Sequence, residues 1–195
     1  MGTKQRRVSE LPDLLWLPCI TCEQGEVTIS ALRLQVILRG PSAARRTEGE
    51  FLIVRYALNE CAGEFLLDKL NIQPGMCVKI KGNILHNASG FKINLGKDEE
   101  NIALHFNPRF NFLHGPSITV FSSKKEGVWD MEKRETVFPF RKNMTAEVSI
   151  TFEGEQFRVR INDDHEVSFP NCLDLKQLDL LAVNGDFNVT SLAFD

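Results

Sequence analysis

From about Met76 to the end of the chain, apolar and polar residues alternate singly in short runs, and each run is closed by residues that favour chain reversal. Val78 and Ile80 alternate with Lys79 and Lys81, Phe91, Ile93 and Leu95 with Lys92 and Asn94, and Val148, Ile150 and Phe152 with Glu147, Ser149 and Thr151. Phe157, Val159 and Ile161 repeat the pattern against Arg158 and Arg160. Successive side chains of an extended chain point to opposite faces, so a period of two gives strands with one face buried and one wet. A helix would need apolar residues three and four apart. Ser89-Gly90, the run from Lys97 to Asn101, Glu153-Gly154-Glu155, Asn162-Asp163-Asp164 and Asn184-Gly185 supply the turns. Reversals this closely spaced leave no room for the crossover helices of a parallel sheet, which predicts an all-β sandwich. The leucines at 173, 175 and 178 allow one helical or 3₁₀ turn as the exception.

The first sixty residues read differently. Val27 to Leu38 alternates only in part and stops at Gly40-Pro41; beyond an Arg45-Arg46 loop, Phe51 to Leu58 fits either strand or helix, and the two segments together make either a hairpin or nothing stable on their own. A length of 195 residues accommodates one domain plus a sizeable extra segment. The change of pattern places an N-terminal extension, poorly defined or partly disordered, over residues 1–59 and the domain over residues 60–195.

Composition narrows the partners. A net charge of -3 without a basic block excludes an electrostatic nucleic-acid binder. Cys19, Cys22, Cys61, Cys77 and Cys172 are odd in number and irregularly spaced, which fits free thiols in a reducing compartment better than a disulfide framework. Cys19 and Cys22 have no second pair and no nearby histidine to complete a zinc site. The apolar run Leu14 to Ile20 is too short to insert across a membrane and contains Pro18. Lys4, Arg6 and Arg7 before it make a poor signal peptide, so the sequons at Asn87, Asn143 and Asn188 are expected to stay unmodified. Arg6 stands where a myristoylation motif needs Ser or Thr. A cytoplasmic protein is expected.

One segment carries recognisable chemistry. Along Ile102 to Phe110, Ile102, Leu104, Phe106, Pro108 and Phe110 share one side of a strand while Ala103, His105, Asn107 and Arg109 share the other, and Trp129-x-x-Glu132-x-Arg134 follows. A hexose presents hydroxyls that both donate and accept, plus one apolar patch of C–H bonds, so its site needs planar polar groups and an aromatic platform. Arg109 and Arg134 offer donor forks, Glu132 accepts, Asn107 does both, and His105 does either according to its tautomer. Trp129 supplies the flat wall. Glu132 and Arg134, two apart, share a strand face on which the carboxylate can hold the guanidinium in place and so lower the entropy cost of binding. Taken singly each has a plainer reading: a Trp in a core or at an edge, a solvated ion pair, a structural histidine. Pro108 inside a strand implies an edge or a bulge. Together they point to a sugar-binding groove.

His105-Phe106-Asn107-Pro108-Arg109-Phe110 followed by Trp129-Asp130-Met131-Glu132-Lys133-Arg134-Glu135 resembles the signature of the galectins. Leu70-Asn71-Ile72-Gln73-Pro74-Gly75, Ile93-Asn94-Leu95-Gly96-Lys97-Asp98, Val137-Phe138-Pro139-Phe140, Phe169-Pro170-Asn171 and Gly185-Asp186-Phe187 are similar to segments of single-domain, prototype galectins, in order, over roughly Cys61 to Asp195. The resemblance implies a two-sheet jelly-roll sandwich that binds β-galactosides such as lactose or N-acetyllactosamine, with no metal or other cofactor. By the same resemblance His105, Asn107 and Arg109 bond the axial 4-hydroxyl of galactose, Trp129 stacks on its apolar face, and Glu132 and Arg134 reach the 6-hydroxyl and the neighbouring sugar. It further implies a homodimer formed through terminal strands, such as Phe187 to Phe194, cross-linking of glycoproteins, and release from the cell without a signal peptide.

Two departures qualify these implications. The family usually places an asparagine at Ser122 to help hold the 6-hydroxyl, so binding is expected to be weakened rather than abolished. In the loop Asn111 to Pro116, where the family commonly places a histidine and an aspartate at the ligand's rim, His114 stands one place late and the aspartate is missing. A galectin-fold protein acting through protein contacts is the alternative function. An enzyme is not expected: Glu132 with Glu135, or Glu153 with Glu155, lie too close along the chain to make by themselves the facing geometry that glycoside hydrolysis needs.

Overall fold

In the computed structural model side chains are described from Phe65 to Asp195, except Asp163. Before that only backbone is described, in strands β1 (Leu17–Glu23), β2 (Glu26–Leu32), β3 (Gln35–Leu38), β4 (Ile53–Asn59) and the start of β5 (Ala62–Asp68). The alternating segments form β6 (Cys77–Ile84), β7 (Phe91–Asp98), β8 (Asn101–Arg109), β9 (Ile118–Lys125), β10 (Val128–Trp129), β11 (Lys133–Glu135), β12 (Thr145–Phe152), β13 (Gln156–Ile161), β14 (His165–Pro170), β15 (Leu180–Gly185) and β16 (Phe187–Phe194). One large sheet runs β10-β9-β8-β7-β15-β5-β4, with β11 also paired to β9; the other runs β14-β13-β12-β6-β16-β3, and β1 and β2 pair with each other in a separate two-stranded sheet. Pairing is antiparallel throughout the described ladders except for β16 with β3.

The core lies between the sheets. Phe91, Ile93, Leu95, Leu104, Phe106 and Phe121 from one sheet meet Val78, Ile80, Val148, Ile150, Phe157 and Val159 from the other, all buried. Phenylalanines knit the layer together. Phe91 stacks on Phe187 at 4.6 Å and meets Phe140 edge-on at 5.4 Å, and Phe106 meets Phe121 and Phe140 at 5.4 and 6.1 Å. Edge-to-face and offset arrangements of this kind suit the ring quadrupoles. Between β7 and β8 the register shifts at Gly96, whose position is so close to the Ile102 Cα that a Cβ would lie 2.8 Å from it. Any larger residue there would push the two strands apart.

The expected alternation of burial holds on β6, β12 and β13 but not on β8, where His105 and Asn107 on the outer side are buried along with Leu104 and Phe106 on the inner, and where a register shift reverses the expected faces at the start of the strand, turning Ile102 outward opposite Lys124 and Ala103 into the core. β8 lies inside the sheet between β7 and β9, so side chains from both sides cover its outer face, and the Trp129 ring meets His105 edge-on. The 3₁₀ turn expected at Leu173 to Leu178 is absent. Leu178 instead bridges to Ile72 in an antiparallel pair, and the 3₁₀ turn falls at Phe112–His114. Phe51 to Leu58 is a strand from Ile53 onward, and it pairs with β5 rather than with the strands formed by Val27 to Leu38. The side chains of Cys19 and Cys22, the residue Cys61 and the Arg45-Arg46 loop lie outside the described residues.

Phe106 is fully buried between His105 and Asn107, so it anchors the segment that carries both. Phe106→Ala is expected to cost about 3–5 kcal/mol of stability, read from the urea unfolding midpoint.

Candidate functional site

Register brings the sequence-predicted residues onto one face. Across the sheet His105 lies opposite Asn94 of β7 and Ser122 of β9, while Asn107 lies opposite Val120, which in turn faces Arg134 of β11. Trp129 of β10 pairs with Lys124 of β9, and Glu132 sits in the link between β10 and β11. Directly opposed residues in an antiparallel pair point to the same side. The side chains at 105, 107, 109, 122, 129 and 134 therefore share the outer face of the sheet, and hydrogen bonds bring Glu132 to it.

Pro108 explains the orientation of Asn107. The pairings Ile93 with Phe106 and Gly90 with Arg109 put Phe91 opposite Pro108, which has no N–H to give to the ladder. Asn107 supplies the missing donor: its Nδ2 gives a hydrogen bond of 2.5 Å to the Phe91 carbonyl. That leaves Oδ1 turned to Arg109, whose Nε donates to it at 2.6 Å. The expectation of an edge or bulge at Pro108 is thus corrected. Pro108 lies in an interior strand opposite Thr119, the β8–β9 register shift falls between Ile102 and His105, and a side-chain amide makes good the lost backbone bond.

Glu132 joins the two arginines. Arg109 donates to Oε1 at 2.7 Å, and Arg134 donates to Oε2 through Nε at 3.1 Å and a terminal nitrogen at 2.8 Å. Both guanidinium groups lie over the Phe112 ring, at 5.0 and 5.5 Å from its centroid. Both forks are thereby held before any ligand arrives. Trp129 remains 49% exposed, with the His105 ring edge-on at 4.7 Å and the Lys124 ammonium 5.7 Å from the indole. Ser122 is buried, and its hydroxyl points to the carbonyls of Asp130 at 2.9 Å and Ser123 at 3.3 Å. Its one proton ties β9 to the residue after Trp129.

Charge follows from this wiring. Burial, reinforced by the positive charges of Lys92 and Arg109 and opposed by Glu132, pushes His105 down to about 4, so the ring is neutral near pH 7. Burial alone would raise Glu132, but the hydrogen bonds from Arg109 and Arg134 outweigh it and hold the carboxyl below its ordinary range. The face thus offers a neutral imidazole, a fixed carboxylate between two cations, and a bare indole.

Three further residues belong to the site. Asn94 contacts His105 Nδ1 at 2.7 Å, Phe112 backs the arginines, and Lys124 flanks Trp129. Asn94 was legible as an outward polar residue of the Phe91-Ile93-Leu95 strand; nothing in the sequence signals the role of Phe112. His114 is exposed in the 3₁₀ turn, in which Leu113 and His114 have positive φ, as does Asn111 just before it. Among the described residues no group of three or more His, Cys, Asp or Glu is placed to hold a metal ion, and no helix is long and apolar enough to cross a membrane.

The family described as galactoside-binding lectin matches residues 66–194. The chain is 42% identical over 127 residues to galectin-1 of Mus musculus, covering 65% of this chain and 93% of that protein. CG-16, a homodimeric agglutinin from chicken liver, superposes with a TM-score of 0.65 at 39% identity, over 68% of this chain and 99% of its own. A toad ovary galectin in complex with thio-digalactose gives a TM-score of 0.65 at 31% identity, over 68% and 98%.

Because the folded value of His105 lies below its ordinary 6.5, the unfolded chain binds a proton that the folded chain refuses between 6.5 and about 4. Stability should therefore fall as the pH drops through that window, by at most about 1.4 kcal/mol per pH unit from this group. Urea unfolding of the wild type and of His105→Gln, compared from about pH 7 to about pH 4, should show a steeper loss in the wild type.

Proposed function

The chain belongs to the galactoside-binding lectin family, the galectins, and on that premise we propose that it binds β-galactosides such as lactose and N-acetyllactosamine through His105, Asn107, Arg109, Ser122, Trp129, Glu132 and Arg134. The observation that carries the assignment of residues is the Arg109–Glu132–Arg134 bridge beside an exposed Trp129. It presents planar donors and an apolar platform on one face, which is what a galactose ring with an axial hydroxyl requires. The axial 4-hydroxyl meets His105, Asn107 and Arg109; glucose, with that hydroxyl equatorial, leaves those groups unpaired, a loss on the order of 1–3 kcal/mol. Ser122 acts on the ligand only as an acceptor, its proton being engaged by backbone carbonyls.

The face is built to bind rather than to hydrolyse. A general acid for glycoside cleavage needs a carboxyl raised toward neutrality, and Glu132 and Glu153 are both lowered, Glu132 by its arginines and Glu153 first by Gln156 and then by Arg158. The chicken-liver relative is described as homodimeric. Two copies of this chain, each with one groove, would bridge glycoproteins with an avidity beyond either site. We place the recognition domain at residues 60–195, preceded by an extension, in a cytoplasmic protein that is also released without a signal peptide.

Retention of the full chain on lactose–agarose and its elution by free lactose test the proposal; flow-through at moderate lactose density would favour a scaffold acting through protein contacts. Trp129→Ala should weaken lactose binding by about 2 kcal/mol or more, roughly thirtyfold, in isothermal titration calorimetry. Ser122→Asn, which adds a second side-chain donor, should raise affinity a few-fold to about tenfold by the same measurement.

A further inference from the structure

Two guanidinium groups that share one carboxylate leave a positive charge without a counter-charge, and like charges held side by side repel unless something else holds them. The bridge in this groove is in that state. Arg109 and Arg134 meet opposite oxygens of Glu132, at 2.7 and 2.8 Å, and among the described residues neither forms an ion pair with any other carboxylate. The loop from Asn111 to Ser117, which follows Arg109, contains no Asp or Glu to supply the missing charge. It contains Phe112, with the Arg109 guanidinium 5.0 Å and the Arg134 guanidinium 5.5 Å from the centre of its ring. An aromatic ring attracts a cation through the negative charge of its π face and needs no N–H to do so. Among the described residues Arg109 therefore gives one N–H to Asn107 and one to Glu132, Arg134 gives two to Glu132, and the rest of each five-donor fork is left for a ligand.

The loop fixes the backbone on both sides of that ring. Asn111 has a φ of 48°, a left-handed conformation that asparagine tolerates better than most residues, and its N–H donates to the Ser117 hydroxyl at 3.1 Å. Beyond Phe112, the Gly115 N–H donates to the Phe112 carbonyl at 2.8 Å and the His114 N–H to the Asn111 carbonyl at 3.2 Å. Phe112 is half-buried in this turn while Leu113 and His114 are exposed. Core packing does not account for an aromatic side chain there, because Phe112 lies outside the hydrophobic cluster and meets the two arginines instead.

We infer that Phe112 is a positioning residue of the groove, whose π face holds Arg109 and above all Arg134 so that their remaining N–H groups read the sugar joined to galactose. Arg134 depends on the ring more. Its side chain is 56% exposed against 24% for Arg109, and only Glu132 Oε2 holds its N–H groups, whereas Arg109 is fixed by Asn107 as well. That the ligand is a galactoside with its second sugar by Arg134 rests on the lectin reading above; that the ring holds the arginines rests on its two contacts. The consequence is selective. Trp129 and His105 lie apart from Phe112 on β10 and β8 and grip galactose without it, so loss of the ring falls mainly on the second sugar.

The test compares Phe112→Leu, which keeps an apolar side chain but has no π face, with Phe112→Tyr, which keeps the face, both in the full chain. Titration of lactose and of methyl β-galactoside gives the first readout. Phe112→Leu should lose about three- to tenfold in affinity for lactose and less than about twofold for methyl β-galactoside, and Phe112→Tyr should recover most of the loss. Nitrogen-15 relaxation of the arginine Nε–H groups gives the second. Arg134 should be as ordered as the backbone in the wild type and in Phe112→Tyr, and mobile on the nanosecond timescale in Phe112→Leu. Lactose affinity and Arg134 order unchanged in Phe112→Leu would overturn the inference, and so would equal losses for the two sugars. If Phe112→Leu fails to fold, Phe112→Ala takes its place with the same expected outcomes. Failure of the wild type to bind lactose would remove the lectin reading, a result distinct from an Arg134 that stays ordered without the ring, which removes the role of Phe112.

Discussion

The register of β8 between its two neighbours is the constraint on which the rest of the molecule depends. Because side chains alternate along a strand, a slip of one residue would turn His105, Asn107 and Arg109 into the core and Phe106 out of it. Phe106 prevents this by filling a slot among Phe91, Phe121 and Phe140, where a polar side chain could not be satisfied. The same register sets Asn94 and Ser122 on either side of His105 and aligns Arg134 with Asn107 through Val120. The core and the groove are thus two faces of one alignment.

Proline at 108 would ordinarily weaken an interior strand by removing a ladder bond. Here the loss is converted into order, since the vacated Phe91 carbonyl takes the Asn107 amide and so points the amide oxygen at Arg109. The chain of contacts then continues without a break through Arg109, Glu132 and Arg134, with Phe112 beneath both guanidinium groups. Each member limits the rotamers of the next, and a ligand that binds there need not order those long side chains itself. The asparagine and proline of the motif act as a pair, which neither would suggest alone.

How much of this was legible in the sequence follows from how local each signal is. Strand identity from Met76 onward was legible because the alternation is written residue by residue, and the groove residues on β8 were legible because they occupy successive outward positions. The burial of His105 and Asn107 was not, since it depends on neighbours that close over the middle of a sheet, and the exchange of faces between Ile102 and Ala103 was not, since it follows from a register shift against β9. Leu173 to Leu178 misled for the same reason: its leucine spacing suits a turn of helix, but Leu178 is claimed by a bridge to Ile72. Asn94 could be read as outward but not as the partner of His105, because strand spacing does not give inter-strand register. Phe112 was hidden altogether in a loop whose shape depends on positive φ at Asn111 and Leu113.

The strands before residue 60 bear on how two grooves could be joined. β4 runs antiparallel to β5 at one end of the first sheet, and β3 runs parallel to β16 at one end of the second. Without them, β5 and β16 would each present an edge of unpaired N–H and C=O groups, the usual template for adding a strand from another chain. With them in place those edges are occupied, so a second copy cannot extend either sheet there by backbone pairing unless β3 and β4 give way. The groove itself is untouched by this, because it lies across β7, β8, β9, β10 and β11 at the other end of the first sheet. The edges that β3 and β4 occupy and the groove are therefore separate parts of the fold, and a change at one can leave the other intact.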